Sequence, residues 1–195
     1  MRSVWAVAAA VTMLLAFPIA VVASVFGENV PEIVVHIVLG IGMLLLAKAV
    51  FDFALPSWIT WIGAIAAGAL GAVFLLQAVS LLLPDNTTLD QIAFAALGIW
   101  GERILIVGVD AWFLGLLLLG TTGRTRLLGW AIVPIVAAYH LISLVGAVLA
   151  VDVPNLRLAF FLPFVWLLFE GAKRAAPEGM GTRSAEAEQL ETPVR

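Results

Sequence analysis

Residues 89–120 run LDQIAFAALGIWGERILIVGVDAWFLGLLLLG, and the fold is decided there. The run is apolar and long enough to cross a bilayer, yet Glu102, Arg103 and Asp110 lie inside it. An ionisable side chain near the centre of a span costs roughly 3 kcal/mol or more, so such residues need partners or a function. Three in one run call for partners on other helices.

The rest of the chain has the same character. Of 195 residues, 63% are hydrophobic and 12% charged, and the mean hydropathy is +1.12. Soluble domains are about half apolar and about a quarter charged, so the composition is that of a polytopic membrane protein. The net charge of -3 leaves no basic footprint for nucleic acid. The absence of cysteine excludes disulfides, thiolate catalysis and cysteine-ligated metal. It leaves the compartment open.

Short polar breaks divide the chain into six apolar segments, at Val4–Phe26, Glu32–Leu55, Trp58–Leu83, Leu89–Gly120, Leu127–Val151 and Leu156–Ala172. About 20 apolar residues cross a ~30 Å hydrocarbon core as a helix, and lipid offers backbone groups no other partner. The expectation is an all-α integral membrane protein, a six-helix transmembrane bundle over residues 1–172 with a disordered tail over 173–195. Arg2 followed by an apolar run and Val21-x-Ala23 also resembles a cleavable signal peptide, which would leave five helices. Pro18, Pro134 and Pro163 fall inside spans, where they kink helices. Asn29-Val30-Pro31-Glu32 and Thr88-Leu89-Asp90-Gln91 are helix starts, the second a capping box. Asn86-x-Thr88 is a glycosylation acceptor if the source is a eukaryote.

Basic residues set the expected orientation. With six alternating spans, Arg2, Lys48, Arg124, Arg126, Lys173, Arg174, Arg183 and Arg195 share one side, against Arg157 on the other. The positive-inside rule then puts both termini in the cytoplasm, in the plasma membrane. Lys173 and Arg174 would anchor the last helix at the lipid surface. In the third span, Gly63-x-x-x-Ala67-x-x-x-Gly71 and Gly68-x-x-x-Ala72 place small residues where neighbouring backbones can approach closely.

Depth along each helix, at ~1.5 Å per residue, sorts the polar residues into two layers. His36, Gln77, His140 and Ser143 lie ~6–16 Å from the outer helix ends, and Glu102 and Arg103 ~18–20 Å below Asp90. The fourth span would run ~47 Å if continuous, so it must tilt, protrude or break, with Gly98 and Gly101 as the expected break points. Any of these brings Glu102 and Arg103 toward the outer half. Glu102, Arg103 and His140, with Gln77 and His36, form the candidate ligand or proton site, with Glu102 as the titrating group. Lys48 and Asp110 share the inner layer as a candidate structural ion pair, although Lys48 could also bond Asp52 one turn on.

Enzyme signatures are missing: there is no His-Glu-x-x-His, no Gly-x-Ser-x-Gly and no phosphate-binding glycine loop. Two histidines are too few for a zinc site without a carboxylate, and no cofactor is expected. Haem held between His36 and His140 is a distant third reading, since their depths differ by ~10 Å. The halves show no inverted repeat. Two functions remain: binding or transport of a small solute or protons in an outer-half polar pocket, or an accessory subunit whose buried charges dock a partner helix or a second copy.

Overall fold

The computed structural model describes the backbone of residues 4–26, 29–82, 88–149 and 157–175. Side chains are described throughout these stretches except at 20, 23–26, 29–31, 88–100, 102, 147–149, 157–158 and 175. The expectations for the loop over 85–87, the tail beyond 175 and the Glu102 side chain therefore lie outside the described residues.

The described chain is all-helical: α1 (Val4–Phe26), α2 (Asn29–Ala49), α3 (Ser57–Ser80), α4 (Thr88–Gly115), α5 (Arg124–Leu149) and α6 (Arg157–Ala175). Four stretches are long and apolar enough to cross a bilayer: Glu32–Asp52, Ser57–Ser80, Arg103–Gly120 and Arg124–Gly146. Val4–Ile19 is a shorter apolar helix. Large apolar side chains such as Leu127, Ile104, Ile65 and Leu141 stand on the exterior of this bundle. So apolar an exterior is compatible with a lipid surrounding.

Contacting residues show that neighbouring helices run antiparallel. Ile59 meets Gly115, Gly63 meets Trp112 and Ala66 meets Gly108, so α3 ascends as α4 descends. Gly171 against Ala6 and Val7, with Phe161 against Phe17, gives α1 the same relation to α6, and Gly42 of α2 packs on Met13 of α1. The helices close into a ring in the order α1, α2, α3, α4, α5, α6. Four of its seams are tightly packed or moderately so, and α5 also lies along α6, but α5 meets α4 mainly at one end. That end, where α3 and α5 begin, is termed lower; α2, α4 and α6 begin at the upper end.

The small-residue reading of α3 holds for one of its two motifs. Gly71 lies 3.0 Å, as a notional Cβ, from the Gly40 carbonyl of α2, while Gly63 admits the Trp112 ring of α4. α3 is thus packed on both sides through Gly63, Ala67 and Gly71, all buried. Gly68 has only Ala47 near it and Ala72 is exposed, so the Gly68-x-x-x-Ala72 motif makes no close approach.

α4 departs from expectation. It is not broken at Gly98 or Gly101 but runs as α-helix to Gly115 and widens into a π turn over Leu116–Gly120. π turns are uncommon and tend to mark functional places. The Thr121 hydroxyl closes this turn by donating to the Leu117 carbonyl at 3.0 Å.

The lower half of the ring is solid. Met13, Met43, Leu46, Trp112, Leu116, Leu117, Trp166 and Leu167 are almost wholly buried there, and Phe113 packs edge-on against Trp166 at 4.9 Å between ring centres. Glu170 of α6, 1% exposed, is buried with them. Its carboxylate accepts from Arg174 Nε at 2.8 Å, and Lys173 Nζ lies 3.8 Å away. Arg174 also donates to the Gly120 carbonyl and covers the Phe53 ring, while Lys173 donates to the Thr122 carbonyl at 3.1 Å. α6 continues through both basic residues to Ala175. They act as a clasp between α6 and the α4–α5 connection, a role the lipid-anchor reading did not foresee.

Candidate functional site

Toward the upper end the packing opens. A chamber of about 350 Å³ is lined by Glu32, Val35, His36 and Leu39 of α2, Phe74 and Gln77 of α3, Ile106 of α4, Tyr139 of α5, and Phe160 and Phe161 of α6. Five of the six helices contribute, which places it inside the ring. Of the residues expected in the outer polar layer, His36 and Gln77 line this one chamber.

Hydrogen-bonding capacity in the chamber is weighted toward acceptors. His36 Nδ1 lies 2.9 Å from the Glu32 carbonyl, which can only accept, so Nδ1 carries the hydrogen and Nε2 of the neutral ring is left an acceptor. Phe74 flanks the imidazole edge-on, 6.3 Å between centres. Gln77 Oε1 is buried with no hydrogen-bond partner among the described residues. An unsatisfied buried acceptor costs ~1–3 kcal/mol. Glu32 adds a carboxylate at the chamber's upper margin.

A second space lies on the outer side of the same wall. Arg103, Ile104, Ile106 and Val107 of α4 face Tyr139, His140, Ser143 and Leu144 of α5 across a groove of about 340 Å³. Below it, an almost wholly apolar recess of about 290 Å³ continues between Val107, Asp110, Ala111 and Leu114 on α4 and Val133, Val136 and His140 on α5. Arg103, Val107, Asp110 and Leu114 fall on one helical face at spacings of three and four, so the sequence does place Arg103 and Asp110 toward one neighbour. Ile106 and Tyr139 line both the chamber and the groove.

A side-chain contact between His140 and Asp110 bridges this seam. His140 Nε2 donates to Asp110 Oδ2, the two side chains being about one-quarter and one-fifth exposed. The candidate pairing of Asp110 with Lys48 is thereby corrected. Lys48 is exposed near the lower end of α2 and makes no ion pair among the described residues, either with Asp110 or with Asp52. Asp52 Oδ2 is buried and without a hydrogen-bond partner among the described residues. The two-layer scheme fails for His140 and Asp110 because they come from different layers yet meet at one level.

The remaining candidates divide cleanly. Arg103 and His140 line the groove, His36 and Gln77 the chamber, and the Ile106–Tyr139 wall stands between the two histidines. Among the described residues no group of three or more His, Asp or Glu could hold a metal ion. Tyr139 and Glu32 were missed as site residues. Tyr139, the only tyrosine, stands next to His140 in the chain, and adjacent residues on a helix face different directions. That divergence is what makes it matter, since His140 faces the seam while Tyr139 also reaches the chamber. Glu170 was missed as well, although a lone acid followed by Lys173 and Arg174 at i+3 and i+4 is a legible signal.

No protein-family model, curated protein or solved structure matches the chain.

Proposed function

We propose that the chain is a six-span plasma-membrane protein with both termini cytoplasmic, whose upper chamber binds and passes on a small polar solute. Four membrane-length helices, an apolar exterior and the one-sided distribution of basic residues support the placement. The observation that carries the solute reading is the buried, unpartnered Gln77 Oε1 beside a chamber large enough for a small molecule. Polar groups left unsatisfied at a cost to stability are characteristic of binding sites. The solid lower half fits a site open toward one face of the membrane. Asp110 and Glu170 meet partners within the chain, which counts against the accessory-subunit alternative.

The test uses purified protein in detergent, its thermal unfolding followed by tryptophan fluorescence against a panel of small amines and polyols. A compound present at 100 times its Kd stabilises by about 2.7 kcal/mol. Gln77→Leu should raise the midpoint of the unliganded protein and abolish that increment, because it removes an unsatisfied acceptor and the ligand's contact together. The reading fails if no compound shifts the midpoint, or if the shift survives in Gln77→Leu.

A further inference from the structure

The chamber and the groove share one wall, and the groove faces outward through the only loosely packed seam of the described ring. From the exterior inward, a molecule would meet the apolar side chains Ile104, Val107 and Leu144, then the polar edge formed by Arg103, His140 and Ser143, then Ile106 and Tyr139, and finally the chamber with its acceptors. Below the Asp110–His140 bridge the recess is hydrocarbon alone. This order matches an amphiphile lying in a leaflet: a tail suited to the recess and a head suited to the chamber. The acceptors on the chamber side, Glu32, His36 Nε2 and Gln77 Oε1, select a head that donates hydrogen bonds, as a hydroxyl or amine does.

We infer that the chamber is loaded sideways from the lipid, through a door formed by Ile106 and Tyr139, and that its ligand is a membrane-partitioned amphiphile with a hydrogen-bond-donating head. The inference rests on the chamber being the ligand site. Tyr139 is the moving part. A phenol rotates about two side-chain bonds, and α5, which carries it, makes few close backbone approaches to α4. Ile106 is the fixed jamb, since it is buried within the core that α3 and α4 share.

The chain contains no cysteine, so one introduced thiol reports one place. Gln77→Cys, reconstituted in lipid nanodiscs, is alkylated either by N-phenylmaleimide, which partitions into lipid, or by a sulfonated maleimide confined to water. Tyr139→Ala in this background should accelerate labelling by N-phenylmaleimide about tenfold, and Tyr139→Trp should slow it by a similar factor, a barrier change of ~1.4 kcal/mol each way. Labelling by the sulfonated reagent should not respond to either change. If both reagents label the thiol but neither rate depends on residue 139, the lateral door is wrong while the chamber remains accessible as a ligand site. If neither reagent labels Gln77→Cys in folded protein, the chamber is closed and both readings fall. Equal acceleration of both reagents by Tyr139→Ala would show general loosening and would also overturn the door.

Discussion

His140→Ala, Asp110→Ala and the double variant should show strong coupling between the two positions. Hydrogen bonds between membrane helices couple by about 0.6 kcal/mol on average and about 1.7 at most. The present contact belongs at the upper end of that range or beyond, for two reasons. One member is a carboxylate, and the walls around it are Val107, Ala111, Leu114, Val133 and Val136. Removing His140 strands that carboxylate in hydrocarbon, at ~1–3 kcal/mol. Removing Asp110 strands a more tolerant imidazole and should cost less. Each side chain retains some exposure, so the full penalty of a dry interior does not apply. The expected coupling is ~1.5–2 kcal/mol, with the double variant less damaged than the two losses summed. Unfolding in mixed detergent and dodecyl sulfate micelles, followed by tryptophan fluorescence, measures all three. Losses that add to within ~0.5 kcal/mol would show that the residues do not bond. Lys48→Ala combined with Asp110→Ala is the control and should be additive.

Gly63→Ala should destabilise by ~1–3 kcal/mol in the same assay, because its methyl group enters the Trp112 ring, whereas Gly68→Ala should leave stability unchanged. Glu170→Ala should cost ~3 kcal/mol and expose the Gly120–Thr125 connection to proteolysis, while Glu170→Gln, which keeps an acceptor for Arg174, should lose less. A cysteine replacing Asn86 should react with an impermeant maleimide in intact cells and one replacing Arg183 should not; the reverse pattern would invert the proposed orientation.

The all-helical architecture was legible because composition and run length leave lipid-exposed backbone no alternative. Packing around Gly63 and Gly71 was legible because close approach demands small residues at fixed spacing. Partner choice was not. Depths measured from each helix's own end assume uniform rise and a common tilt, and both assumptions fail where α4 widens over Leu116–Gly120 and α5 stands away from it. Asp110 and His140 were consequently assigned to different layers. Lys48 was the nearest opposite charge by that arithmetic, but α2 and α4 lie on either side of α3. Glu170 escaped notice because α6 was treated as ending before the two cations that explain it.

The lower clasp has a mechanical consequence for α5. Trp166 Nε1 donates to the Thr125 carbonyl at 2.6 Å, Lys173 holds Thr122, and Arg174 holds Gly120, so the foot of α5 is fastened to α6. Tyr139 stands fourteen residues above Thr125, a lever arm of ~21 Å. A pivot of only ~10° at the foot would carry the tyrosine ~4 Å sideways on that arm. At the end of the arm, one residue beyond Tyr139, the Asp110–His140 bridge acts as a latch. With the foot fastened, that single bridge holds the end of the arm, and its release would turn a small rotation at the base into a displacement of the tyrosine comparable to the width of an acyl chain.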